Sequence, residues 1–413
     1  MQTNLSPEFQ NTPAGTEAES ILRSCVHCGF CNATCPTYQI LGDELDGPRG
    51  RIYLIKQMLE GGDVGRSTQE HLDRCLTCLN CETTCPSGVE YGRLVAIGRH
   101  LVDERVARPL PKKAARWVLR EGLTSWLFAP LLKAGRLCRP VLPRFLRKYV
   151  PAQAHERAES LPTREHARKV LLLAGCVQPG MMPNINSATA RVLDACGIQT
   201  VVAKGAGCCG AIREHLSDPA GALDDARRNI DAWWPLVSAG TVDTIISNAS
   251  ACGLTVKSYS DMLERDPQYR DKAARVSALT RDLSELLPEL VPQLQVRLGS
   301  VGAGRWVYHP PCTLQHGQGL RGGVETQLGM LGFDIRVAGN EAHLCCGSAG
   351  TYSVLQPEFA RQLRDRKLKN LVESGPSGIL SANIGCIQHL QSGTGLPVRH
   401  WVEVLDEALL TQR

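Results

Sequence analysis

The stretch CVHCGFCNATCP, residues 25–36, sets four cysteines in the order C-x2-C-x2-C-x3-C-P. CLTCLNCETTCP, residues 75–86, repeats that spacing without a gap. Three thiolates two residues apart can wrap one small inorganic cube while the intervening amides point at its sulfurs. The fourth is displaced by a turn and followed by proline, so it is directed away from that cube. Each stretch therefore reads as part of a larger arrangement rather than a closed site.

The spacing is that of bacterial ferredoxins, in which the fourth cysteine ligates the other of two [4Fe–4S] clusters. This pattern assigns one cluster to Cys25, Cys28, Cys31 and Cys85, and the other to Cys75, Cys78, Cys81 and Cys35. Structural zinc sites split their ligands into two separated pairs. Two compact quartets favour iron and sulfur over zinc. Between them, GDELDGPRGRIYLIKQMLEGG (42–62) has Pro48 near a helix start and an apolar stripe of Ile52, Ile55, Met58 and Leu59. It reads as a helix bracing both cluster loops, with Arg49 and Arg51 placed to screen cluster charge.

The chain has 413 residues, enough for several domains, and a formal net charge of only +5. Its 18 cysteines call for either a disulfide framework or metal ligation. The first 24 residues are polar and acidic, which is unlike a secretory signal and argues for a reducing compartment and metal. No apolar run approaches the ~20 residues a membrane-spanning helix needs.

The region from about Lys169 onward repeats itself. Cys176, Cys208-Cys209-Gly210 and Cys252 recur as Cys312, Cys345-Cys346-Gly347 and Cys386, at offsets of 136, 137 and 134 residues. Three anchors in register indicate duplication. Apolar runs such as KVLLLAGC, TIISNASAC, WVYHPPC and GILSANIGC end near these cysteines and alternate with helical segments. That order predicts parallel sheets covered by helices, with ligands gathered beyond the carboxyl ends of the strands. Each half should bring its four thiols to one rim. The expected fold is α+β and α/β multidomain: a mainly helical two-cluster ferredoxin-like domain, then two duplicated parallel α/β domains. The expected boundaries are 1–104, a basic amphipathic helical linker over 105–168, then 169–295 and 296–413.

CVHCGFCNATCPTYQILGDELDGPRGRIYLIKQ, HLDRCLTCLNCETTCPSGV, NIDAWWP, CTLQHGQ, LCCGSAGTY and ANIGC carry a resemblance that spans almost the whole chain. It resembles the respiratory iron–sulfur subunits with CCG domains, and within them the glycolate oxidase (glycolate dehydrogenase) iron–sulfur subunits of bacteria. The resemblance implies a subunit of an oxidoreductase complex in which a flavin-bearing partner oxidises glycolate to glyoxylate. This chain would then relay electrons toward a membrane acceptor such as quinone. It also implies a peripheral place on the cytoplasmic face of the inner membrane. Relay for a lactate or glycerol-3-phosphate dehydrogenase, or a reductase acting at a CCG-bound cluster, are the alternatives.

The chain itself shows no convincing flavin or nucleotide site. Gly317, Gly319 and Gly322 satisfy G-x-G-x-x-G, but away from a strand-to-helix turn. The substrate-oxidising site is therefore expected on a partner. Heterodisulfide reductase relatives supply five cysteines per repeat, ending in C-x-x-C. Here Ala249 and Asn383 replace the first of that pair. Four remain in each half, Cys176, Cys208, Cys209 and Cys252, then Cys312, Cys345, Cys346 and Cys386, enough for a further iron–sulfur cluster or zinc. His309, His316 and His343 lie near these motifs as further ligands or proton donors, whereas Cys138 and Cys196 read as buried bystanders.

Residues 105–148 hold twelve Lys or Arg against one acid, Glu121. Trp117, Leu123, Trp126, Leu127, Phe128, Leu131 and Leu132 interleave with them. The pattern suits a helix in the membrane interface with its bases facing anionic lipid, or a linker packed between domains. No other feature supports nucleic-acid binding.

Overall fold

The computed structural model describes residues 1–141, 143, 161–299, 301 and 304–411. Up to Arg105 the described chain is helical, and its longest elements are Pro13–Ser24, Pro48–Leu59 and Tyr91–Arg105. Pro48 opens its helix, where the absent N–H is no loss. Ile52, Ile55, Met58 and Leu59 are all buried in one core with Leu22, Leu72, Leu94 and Val95, so the helix braces both cysteine loops as expected.

The repeat extends to the backbone of those loops. His27 and Gly29 have φ of 59° and 85°, and the matching Thr77 and Leu79 have 51° and 60°. Left-handed residues at alternate positions curl each loop so that successive amides face a common centre. At Leu79 this conformation costs about 1–2 kcal/mol, a strain held by the surrounding packing.

Strands β1 (Arg168–Leu172), β2 (Ile198–Val201), β3 (Thr244–Ser247) and β4 (Thr280–Asp282) form a parallel sheet in the order β2-β1-β3-β4. Strands β5 (Arg305–Tyr308), β6 (Asp334–Val337), β7 (Gly378–Ser381) and β8 (Val398–His400) repeat it as β6-β5-β7-β8. The two halves share one hydrophobic core, in which Val170, Ile185 and Ile246 join Val307, Trp401 and Leu405. Arg191 and Asp406 pair across it at 2.5 Å, both almost wholly buried.

The basic segment forms two helices, Leu110–Thr124 and Phe128–Cys138, neither with a fully buried residue. Of the two readings of its bases, the linker packed between domains describes Arg116, Arg120 and Arg136. Arg116 reaches Asp73 and Asp103 at 3.7 and 3.5 Å, and Arg120 lies 3.5 Å from Asp218. Arg136 donates to the carbonyls of Gly180 and Met181. These bases face protein because four other segments present acceptors to them. Leu110, Trp117, Val118, Trp126, Leu131 and Leu137 face outward instead. The rest of the linker, 142 and 144–160, lies outside the described residues. Among the described residues no helix is long and apolar enough to cross a membrane.

Candidate iron–sulfur centres

The eight quartet cysteines divide into two sets across the repeat. One cavity is lined by Cys25, Cys28, Cys31 and Cys85, and also by Cys81, which lines both cavities. A second is lined by Cys35, Cys75, Cys78 and Cys81. Each fourth cysteine thus faces the other quartet's first three, and Asn80 ties the loops by donating to Thr34 O at 3.0 Å.

The sets differ in depth. Cys28 is exposed in the first, amid Val26 and Phe30, which are 68% and 62% exposed. In the second, Cys35, Cys75 and Cys81 are buried. Burial, then the neighbouring Cys25, pushes the Cys31 thiol up to about 11. Burial also raises Cys78, with Cys312 the next cause, and raises Cys81, with Cys78 next. Thiols crowded this way hold their protons until a cation displaces them, which is the chemistry of a metal-binding donor set. The residues present fit a [4Fe–4S] cluster in each cavity.

Cys75 runs the other way. Burial opposes its ionisation, but Arg51, Arg99, a hydrogen bond from Tyr91 and the Thr77 N–H outweigh it and lower its pKa. Arg51 is 1% exposed; it donates to His71 O at 2.7 Å and Thr37 Oγ1 at 3.2 Å, and pairs with Asp46 at 3.4 Å. Arg99 donates to Thr77 Oγ1 at 2.9 Å and to the Cys75 carbonyl. Arg49 lies against Gly29 of the first loop, so Arg49 stands beside the first set and Arg51 beside the second. Glycine suits that position because φ of 85° is left-handed, and a Cβ there would displace the Arg49 guanidinium.

Beyond the strand ends the remaining thiols converge as the topology requires. In the first half Cys176 and Cys209 each hydrogen-bond Cys208, pushing it down to about 3, and Cys209 also meets Cys252. In the second, Cys312 donates to Cys345 at 3.6 Å, Cys345 meets Cys346, and Cys346 meets Cys386. The glycine after each cysteine pair is left-handed, Gly210 at φ 97° and Gly347 at 89°. At Gly347 a Cβ would also meet Ala360 O at 2.6 Å.

Of the three histidines near these motifs, one stands among thiols. A ring nitrogen of His309 and the Cys346 and Cys386 sulfurs lie within 4.8 Å of one another. His316 instead bridges the modules, with Nδ1 2.9 Å from Thr83 Oγ1 and Nε2 2.8 Å from His343 O. His343 is exposed. Cys196 is buried as expected, but Cys138 is exposed because its helix lies on the surface. Sequence reasoning missed the seam in which Leu76, Cys312, Cys345 and Tyr352 pack around Cys78. It also missed Lys367, buried beside these thiols with Nζ donating to the Glu341 and Ala342 carbonyls. Lys367 belongs to no motif, and the seam joins motifs that lie far apart in sequence.

Residues 21–89 match the 4Fe-4S dicluster domain, and residues 170–257 and 306–391 each match the Cysteine-rich domain. A dicluster module joined to a duplicated cysteine-rich module defines an iron–sulfur electron-transfer subunit. The glycolate oxidase iron-sulfur subunit of Escherichia coli (strain K12) is 52% identical, covering 99% of both chains. The probable glycolate oxidase iron-sulfur subunit of Bacillus subtilis (strain 168) is 31% identical over 94% of this chain and 92% of its own. Lactate utilization protein A of Geobacillus thermodenitrificans (strain NG80-2) is 27% identical over 58% of this chain and 98% of its own. The chain belongs to the family of glycolate oxidase iron-sulfur subunits, components of an oxidoreductase complex.

Proposed function

We propose that this chain relays single electrons from a flavin-bearing partner, which oxidises glycolate to glyoxylate, toward a quinone at the membrane. The observation that carries the reading is the order of the thiol sets. An exposed set abuts a buried one, and Cys78 of the buried set abuts Cys312 and Cys345 of the second half. [4Fe–4S] clusters held by Cys25, Cys28, Cys31 and Cys85, and by Cys75, Cys78, Cys81 and Cys35, would supply one-electron redox chemistry. The eight cysteines of the two halves offer further centres.

Electrons enter at the Cys28 face, where exposed Val26 and Phe30 offer apolar surface to a partner. They leave near a cavity lined by Cys75, Tyr352, Arg99 and Lys112, where an acceptor comes within one side chain of the buried set. The exposed apolar side chains of the two linker helices support a peripheral position on the membrane surface, since inserting such faces buries apolar area. The domain scheme is 1–104, 105–168, 169–295 and 296–413.

The test is anaerobic purification of the intact complex and stopped-flow mixing with 2-hydroxy acids. Glycolate should bleach the visible iron–sulfur absorption, and a quinone should restore it. Bleaching by lactate but not glycolate would replace the substrate, and bleaching by neither would remove the reading.

A further inference from the structure

The two halves are alike in strand order and in their four thiols, yet not in what stands beside them. His309 follows β5 directly. Its N–H donates to Leu380 O at 2.8 Å, and its carbonyl accepts from Ser381 Oγ at 3.0 Å, so the backbone there is fixed. Pro310 and Pro311 follow and stiffen the exit from the strand. In the first half Leu173 makes the matching bond to Ile246 O at 2.9 Å, and it is a core residue. One half therefore sets a hydrocarbon where the other sets an imidazole.

That imidazole is 1% exposed, and neither ring nitrogen has a hydrogen-bond partner among the described residues. Leaving a buried polar group unpaired costs about 1–3 kcal/mol, so a ring with both nitrogens orphaned needs an explanation. The thiols supply it, because a ring nitrogen and the sulfurs of Cys346 and Cys386 lie mutually within 4.8 Å. Asn383, where relatives of this kind carry a fifth thiol, is turned to other work. Its side chain accepts from Gly385 N at 2.9 Å and donates to Ser250 Oγ at 3.3 Å.

We propose that His309 is a fifth donor to a centre on Cys312, Cys345, Cys346 and Cys386, making it a mixed thiolate–imidazole iron–sulfur site. The inference rests on the reading that the second-half thiols hold a centre, and it goes beyond it in naming the ligand and the metal class. Five donors exceed the four that close a structural zinc site, so the set suits iron and sulfur. Against a set of five thiolates, a neutral imidazole in place of the fifth anionic thiolate raises the potential of such a centre. With Cys312 and Cys345 against Cys78, a centre in the second half stands next to the buried set, and the first half, lacking the imidazole, offers four thiols only.

The test uses the intact complex, purified anaerobically with 15N-labelled histidine, reduced chemically with dithionite and examined by pulsed EPR. Glycolate plays no part, so a wrong substrate leaves this test standing. The expected result is iron beyond the ~8 atoms per chain of two cubes. One reduced centre should also show strong coupling to a histidine nitrogen. His309→Gln should abolish that coupling. His309→Cys should abolish it while keeping the iron, and should lower the midpoint potential of that centre. Iron beyond two cubes without nitrogen coupling, or coupling that survives His309→Gln, overturns the ligand while leaving a second-half centre in place. Zinc at the site, or no metal there, overturns the mixed centre itself.

Discussion

Arg51→Met is the substitution whose consequences can be worked furthest. The guanidinium is 1% exposed and holds three partners: His71 O, Thr37 Oγ1 and Asp46. Breaking a buried ion pair costs about 3–5 kcal/mol when the remaining charge is stranded. Asp46 is not stranded here, because Arg74 Nη1 stays 2.9 Å from its other oxygen. The loss should therefore fall near the lower end, ~3 kcal/mol, including the two orphaned acceptors. The same cation faces Cys75 and Cys35, raising its own pKa through them against the opposing effect of burial. A unit charge roughly 8 Å from a redox centre, at an effective dielectric of about 20, is worth about 2 kcal/mol. For one electron that corresponds to about 90 mV. A positive charge stabilises the more negative reduced form, so its removal lowers the potential. EPR-monitored titration should show the buried centre shifted down by several tens of mV and the exposed one nearly unmoved. Arg51→Lys separates the two effects, keeping the potential while losing stability through the lost fork. An unchanged or raised potential in Arg51→Met would refute the placement of this charge beside the second set.

Cys35→Ala should damage the centre of Cys75, Cys78 and Cys81, and Cys85→Ala that of Cys25, Cys28 and Cys31. Iron analysis with EPR checks this, and damage confined to the mutated quartet's own first three cysteines would sink the crossed pairing. Trp117→Glu with Trp126→Glu should release the complex from membranes, whereas Arg116→Gln should destabilise the linker contacts to Asp73 and Asp103 without releasing it. Sedimentation with vesicles at moderate salt distinguishes the two, and release by Arg116→Gln alone would restore the reading of bases on lipid. His400 is fully buried, with Nδ1 accepting from Val402 N and Nε2 donating to Asn248 O, and burial lowers its pKa to about 3. A depressed histidine pKa means that the unfolded chain takes up the proton first. Stability should be intact above pH ~6.5 and decline by up to about 1.4 kcal/mol per unit below it, as far as pH ~3. Urea unfolding across that range should show a flatter profile for His400→Gln, and an unchanged slope would count against this residue as the acid-sensitive joint.

What the sequence discloses about this chain follows contact range. The quartets, the bracing helix and the alternating strands are local, so spacing and periodicity were enough to anticipate them. The duplication was legible because three cysteine anchors stay in register, and both sheets do repeat one strand order. The contact of Cys78 with Cys312 and Cys345 was not legible, because no local pattern encodes a meeting of segments more than two hundred residues apart. For the basic helices the sequence left two readings open for a related reason. A charge count cannot reveal that Asp73, Asp103 and Asp218 wait on other segments to receive Arg116 and Arg120. His309 is the sharpest case. Beside HPPC it is one histidine among three, and only the strand-end geometry separates it from His316, which ties two modules together, and His343, which faces solvent. Duplication supplies the control that a single copy would lack. Leu173 occupies the matching strand end and needs no partner, so the fold does not demand a polar side chain there. The imidazole is therefore retained against its burial cost in one half only, and a ligand at that rim accounts for the difference.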